Sequence, residues 1–140
     1  MEAQPISIVI PAHNEAAVIE RCLQSLTEGA DPGELEVLVV CNGCNDNTAE
    51  IAGRFAPTVR VLESPVASKN AALNMGDQNA TSFPRFFLDA DIVLPLADLR
   101  RVAEVLRGGE VHGAAPRMEV DLSERGWPIR AFYDVWMETP

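Results

Sequence analysis

The sequence predicts an α/β fold: a mainly parallel sheet with helices packed on both faces. Three observations carry this. Short runs of Val, Ile and Leu alternate with amphipathic stripes of helical period. The runs are apolar throughout, as strands buried on both faces should be. Gly, Pro and Asn separate the segments in a β-α-β-α order, the order that crossover connections turn into parallel strands. The 140 residues are expected to form one domain with a real core.

Ile6 to Ile10 is the first strand, ended by Pro11. Ile19, Cys22, Leu23 and Leu26 follow the i, i+3, i+4, i+7 pattern of a helix, punctuated by Gly29, Pro32 and Gly33. Leu35 to Val40 is the second strand. Asn45, Asp46 and Asn47 are cap candidates for a helix striped by Thr48, Ile51, Ala52 and Phe55. Val59 to Leu62 is a short strand, and Ser68 caps a helix running to about Ala80. Arg85 to Leu88 is the next strand. Leu99, Val102, Ala103 and Leu106 stripe a helix stopped by Gly108 and Gly109. Val111 to Ala115 reads as a further strand. Ile129, Phe132, Tyr133 and Trp136 form a last apolar stripe, which needs a partner surface; a homodimer through this helix is one expectation.

Composition narrows the function. Hydrophobic residues make up 47% and charged residues 23%, the balance of a globular chain. A net charge of −10 opposes binding to nucleic acid or to an anionic membrane. A nucleotide is still feasible, because a cation and a few donors can offset its phosphates. No apolar run approaches the roughly 18 residues of a membrane helix. The N-terminus lacks the basic and apolar regions of a signal peptide. Three cysteines suggest no disulfide framework, so a cytoplasmic location is expected.

The run FFLDAD, Phe86 to Asp91, is the most informative stretch. It places Asp89 and Asp91, separated by the small Ala90, at the C-terminal end of a buried strand, the edge where open α/β sheets bind ligands. Paired carboxylates repel unless a cation or donors relieve them, and hard oxygen ligands suit Mg²⁺ or Mn²⁺. Further upstream, Pro11, Ala12, His13, Asn14 and Glu15 lead out of the first strand, offering backbone groups and short polar side chains to a planar base. Asn42 could pair with a base edge through its amide, and Gly43 permits a tight turn. Lys69 beside a helix start is a candidate diphosphate contact.

In order, PAHNE after the first strand, NGCNDNT after the second, SKNAALNMG and FFLDAD resemble family 2 glycosyltransferases of the GT-A fold. The resemblance covers about Ser7 to Asp91. It implies the Rossmann-like sheet of a nucleotide-diphospho-sugar transferase, expected to be truncated here. Pro11, Ala12, His13 and Glu15 would line the nucleotide pocket, with Asn42 facing the base and Lys69 the phosphates. Asp89 and Ala90 would contact the donor, Asp89 at its ribose or the metal. Asp91 would be the principal ligand of Mn²⁺ or Mg²⁺. The donor would be a UDP- or GDP-sugar, and the acceptor is left open. Where the family carries an acidic pair after its second strand, this chain has Cys41 and Asn42. An inverting transfer also needs a carboxylate base. Asp121, Glu124, Asp134 and Glu138 follow FFLDAD, but none sits in a family-like base motif, so no catalytic base is assigned. The chain reads as the donor-binding portion of a transferase, with its acceptor portion expected to be missing.

Rival readings rest on fewer residues. Cys41 and Cys44 form a C-x-x-C between a strand and a helix, the setting of a thiol-disulfide oxidoreductase. Cys22 and two histidines could add to half a zinc site, but the spacing fits no common zinc module. A non-catalytic nucleotide-binding fragment is the other alternative. The Gly-rich, Arg-containing loop of a nucleotidyltransferase is absent after the first strand.

Overall fold

A computed structural model describes residues 4–138 of the chain. Strands β1 (Ile6–Ala12), β2 (Leu35–Asn42), β3 (Val59–Ser64) and β4 (Arg85–Phe87) form one parallel sheet in the order β3-β2-β1-β4. Helices α1 (Ile19–Thr27), α2 (Thr48–Gly53) and α3 (Lys69–Asn79) connect the strands, and α4 (Leu96–Arg107) and α5 (Trp127–Glu138) follow them.

Side-chain alternation divides the strands between two buried faces. Ile6, Ile8 and Ile10 of β1 and Val37 and Val39 of β2 share a core with Ile19, Leu23 and Leu26 of α1, Ile51 of α2 and Leu99 of α4. Val9, Leu38 and Val40 are buried on the other face, against which α3 packs. Burial on both faces is why β1 and β2 read as unbroken apolar runs. Each fully buried Ile or Leu contributes roughly 1.5–3 kcal/mol of transfer free energy.

The crossovers explain which helix lies where. The β1-α1-β2 and β2-α2-β3 units step one way, whereas β3-α3-β4 steps back to the far edge. With a single crossover hand, α3 must fall on the face opposite α1 and α2. This reversal creates a topological switch point between β1 and β4. Sheets of this kind bind ligands in the crevice beyond the C-terminal strand ends at such a point.

Pro11 does not end β1; the strand runs through it to Ala12. The Ser7 N–H donates to the Pro84 carbonyl, and the Val9 carbonyl accepts from the Leu88 N–H, so alternate residues of β1 turn their backbone groups toward β4. Pro11 is the next in that series. Pairing with β4 stops at Val9, so the missing N–H faces a side with no ladder to break.

The strand expected at Val111 to Ala115 is a correction. These residues are exposed and have no strand conformation. Gly113, Ala114 and Ala115 are weak strand formers, and β4, the edge strand they follow in the chain, has only three residues to pair with. The last stripe does fall on a helix, α5, where Trp127, Ile129 and Phe132 are exposed. The side chains of Tyr133 and Trp136 lie outside the described residues. Among the described residues no helix is long and apolar enough to cross a membrane.

Candidate functional site

The segment between β1 and α1 folds over the C-terminal edge of the sheet and is bolted to the loop after β2. His13 Nδ1 lies 2.6 Å from the Asn42 carbonyl oxygen, so it carries the proton and donates. Asn14 has a left-handed backbone, φ 53°, a conformation that Asn adopts more readily than most residues. Its Oδ1 accepts from the Asn45 N–H at 2.7 Å. The Glu15 N–H donates to Thr48 Oγ1 at 2.9 Å, and the Ala16 N–H to Asp46 Oδ2 at 3.2 Å. The Cys44 thiol donates to the Ala12 carbonyl at 3.3 Å and accepts from the Asn14 N–H at 3.4 Å.

Asp46 is the hub of this interlock. Its other oxygen accepts from both the hydroxyl and the N–H of Thr48. The Thr48 hydroxyl holds the Asp46 carboxyl below the usual carboxylate range. A group with a depressed folded-state pKa stabilises above its unfolded pKa and loses that effect as pH falls through the folded one. The interlock is therefore complete at neutral pH and weakens only in acid. Asp46→Asn is expected to raise amide exchange at Ala16 and Thr48 about threefold to tenfold at neutral pH, the effect of weakening one or two hydrogen bonds. Exchange mapped by mass spectrometry checks this, and unchanged protection would remove Asp46 from the interlock.

The second part of the site lies on the α3 side. Asn42 ends β2 almost fully buried, and its Oδ1 has no hydrogen-bond partner. Gly43, at φ 60°, lets the chain turn and pass against Ala67; an added Cβ there would lie 3.0 Å from the Ala67 Cβ. Ser68 caps α3 as its sequence suggested, its hydroxyl accepting from the Ala71 N–H at 3.2 Å. Lys69 opens the helix, and its Nζ lies 2.6 Å from Asp89 Oδ1, with both side chains more than half exposed.

Beyond β4 the chain turns sharply, the Ile92 N–H donating to the Asp89 carbonyl at 3.1 Å. Ala90 is buried in the core, while Asp89 and Asp91 on either side are exposed. The small central residue thus anchors the turn and leaves both carboxylates in solvent. Among the described residues no group of three or more His, Cys, Asp and Glu could hold a metal. A cation on Asp89 and Asp91 would need further oxygens from substrate and water.

Pro11, Ala12, His13, Glu15, Asn42, Lys69, Asp89, Ala90 and Asp91 lie at or just beyond the C-terminal ends of the strands or at the start of α3; contacts join His13 to Asn42, and Pro11, Ala12, Asn42 and Ala90 are buried. The structure pairs Lys69 directly with Asp89. Asn14, Cys44, Asp46 and Thr48 frame the first loop without having been singled out for it. The available signal was the Asp46 to Thr48 spacing, which fits an Asx-type turn as well as a helix cap. An open groove of about 800 Å³ lies at the opposite, N-terminal edge, lined in part by Glu34, Arg100 and Arg107. Its cations are already committed: Arg100 to Glu34 at 2.6 and 2.8 Å, and Arg107 to the Gln4 carbonyl at 2.6 Å.

The first cysteine of the C-x-x-C is not poised as the attacking thiol of a thiol-disulfide oxidoreductase. Cys41 lies within β2, and burial, reinforced by the neighbouring Cys44, pushes its thiol up to about 12. A reactive thiol needs the opposite shift.

Residues 7–138 match the sequence pattern of Glycosyl transferase family 2. The chain belongs to that family. Glycosyltransferase AglE of Haloferax volcanii is 37% identical over 91 residues, covering 61% of this chain and 30% of AglE. The chain spans less than half the length of the curated relatives it matches. The S. aureus TarS structure with UDP superposes with a TM-score of 0.69 over 81% of this chain and 38% of that one, at 19% identity, and so shares the fold. Glucosyl-3-phosphoglycerate synthase from Mycobacterium tuberculosis, solved with Mn²⁺, UDP and glucosyl-3-phosphoglycerate, gives 0.59 at 29% identity. That match covers 76% of this chain and 41% of the synthase. The parallel sheet with its flanking helices is that of the GT-A glycosyltransferases.

Proposed function

We propose that the crevice between β1 and β4 binds the diphosphate and base of a UDP-sugar, and that the chain supplies the donor side of an inverting glycosyl transfer. The observation that carries this reading is the Lys69–Asp89 ion pair at the C-terminal side of the sheet in a family 2 fold, with Asp91 two residues further on and Asn42 ending β2. Two of its structural relatives were solved with UDP.

The side chains present suit that ligand. The unpartnered Asn42 Oδ1, buried at the end of β2, is an acceptor for a base N–H. The Lys69 ammonium, already held by one anion, faces the diphosphate at the start of α3, where helix N–H groups also favour negative charge. Asp89 accepts from a ribose hydroxyl or shares a cation with Asp91, and two exposed carboxylates match the hard-oxygen preference of Mn²⁺ or Mg²⁺. Such a cation, when bound, supplies Lewis-acid relief of the charge on the departing diphosphate. The interlocked first loop holds His13 and Glu15 over the nucleotide. No base is assigned. Asp121 is held below the carboxylate range by Ser123 and is a poor proton acceptor, and the side chains of Asp134 and Glu138 lie outside the described residues.

Calorimetric titration with UDP and GDP, in the presence of Mn²⁺, tests the reading. UDP is expected to bind more tightly than GDP, and Lys69→Ala to weaken UDP about tenfold to a hundredfold, the effect of losing a charged hydrogen bond. Absence of nucleotide binding would overturn the proposal. Binding without transfer to any of a panel of acceptors would leave the chain a donor-binding module only.

A further inference from the structure

The function proposed above makes no use of Cys41 and Cys44, yet the structure gives both a place. Cys44 is partly exposed, and its sulfur bridges two backbone groups of the first loop, the Ala12 carbonyl and the Asn14 N–H. Those two groups flank His13, and Asn14 is the loop's left-handed residue. Cys41, three residues earlier and buried, belongs to the same apolar cluster against which Cys44 packs. Gly43 between them turns the chain back.

We propose that Cys44 is a thiol latch on the donor loop, and that its oxidation to a disulfide with Cys41 by a small-molecule disulfide opens the latch. This rests on the donor-site reading. The chemistry balances as two exchanges. The Cys44 thiolate attacks oxidised glutathione, forming a mixed disulfide and releasing one glutathione thiol. Cys41 then loses its proton and attacks the Cys44 sulfur, expelling the second glutathione as a thiol. The two protein thiols are oxidised by two electrons, and glutathione disulfide is reduced to two thiols. Burial holds the Cys41 thiol up near 12, which makes the second exchange the slow one.

The consequence is local. A disulfide sulfur has no S–H to donate to the Ala12 carbonyl, and drawing it toward Cys41 takes it away from the Asn14 N–H. The loop loses two of its tethers and keeps those through Asn14 Oδ1, Thr48 and Asp46. Losing one or two weak hydrogen bonds lowers affinity about threefold to tenfold.

The experiment treats the chain with oxidised glutathione, then with dithiothreitol, and follows intact mass, amide exchange at Asn14 and UDP affinity. The oxidised wild type is expected to lose the mass of two hydrogens, to exchange faster at Asn14 and to bind UDP about threefold to tenfold more weakly, all reversed by dithiothreitol. Cys44→Ser removes the attacking thiol and is expected to show no change in mass, and no oxidant-dependent change in exchange at Asn14, on treatment with oxidised glutathione. Cys41→Ser is expected to stop at the mixed disulfide, gaining the mass of one glutathione less two hydrogens. Exchange at Asn14 reads the latch whether or not nucleotide binds, so failure of UDP to bind counts against the donor site and not against the latch. Failure to oxidise, or oxidation with unchanged exchange at Asn14, would overturn the latch.

Discussion

Gly76→Ala is expected to lower stability by about 1–3 kcal/mol, although alanine is the better helix former. The propensity gain is about 1 kcal/mol. Against it stands the tight packing of α3 on β1 at this glycine. A Cβ on Gly76 would lie 2.2 Å from Val9 Cγ1 and 3.2 Å from Val9 Cβ and Cγ2. Val9 cannot easily yield. Its branched side chain has few rotamers, it is fully buried, and β1 is paired on both sides, to Leu38 and to Phe87. The helix must therefore shift outward. That movement would also reach Lys69 at the start of α3 and its ion pair with Asp89. Urea unfolding of Gly76→Ala, Val9→Ala and the double variant checks this. The double variant should recover part of the loss, because removing the valine methyls makes room for the alanine. A Gly76→Ala chain as stable as the wild type would mean that α3 does not pack this closely.

Legibility followed burial. The unbroken runs of β1 and β2 and the apolar stripes of α1 and α4 were readable because each of those segments is buried in one direction or two, and burial leaves a period in the sequence. The run at Val111 failed because no neighbouring strand satisfies its backbone, a fact of tertiary pairing that no local pattern carries. Pro11 misled for a related reason: the cost of a proline in a strand depends on which neighbour its missing N–H faces. At the site, motif order was enough to suggest the family and the edge of the sheet. The contacts were not readable. Lys69 meets Asp89 only because β3-α3-β4 crosses back over the sheet, and Asp46 reaches Ala16 only because β1 and β2 end side by side. Side-chain partners across two loops depend on topology first and on residue type second.

Asp91→Ala is expected to abolish the strengthening of UDP binding by Mn²⁺. The turn at the end of β4 offers two carboxylates with different commitments. Asp89 is held by Lys69 at 2.6 Å and is partly neutralised before any cation arrives. Asp91 is exposed and forms no ion pair among the described residues; its charge helps burial push the nearby Cys22 thiol up to about 12. Its charge is the one a divalent cation can use without first displacing a lysine. The backbone beneath it is anchored by buried Ala90 and by the Asp89 to Ile92 hydrogen bond, so truncating the side chain should leave the turn in place. Stability should change by no more than about 0.5 kcal/mol, as for other exposed positions. Partners one shell away from a metal typically contribute about tenfold to a hundredfold in affinity, so loss of a direct ligand is expected to cost at least about a hundredfold in Mn²⁺ affinity. Calorimetric titration of UDP into the wild type and the variant, each with Mn²⁺ and with EDTA, separates the effects. The wild type should bind UDP more tightly with the metal, whereas the variant should bind with one weak affinity in both conditions. Equal wild-type affinity with and without Mn²⁺ would take the metal away from Asp89 and Asp91. Recognition of the diphosphate would then fall to Lys69 and the start of α3.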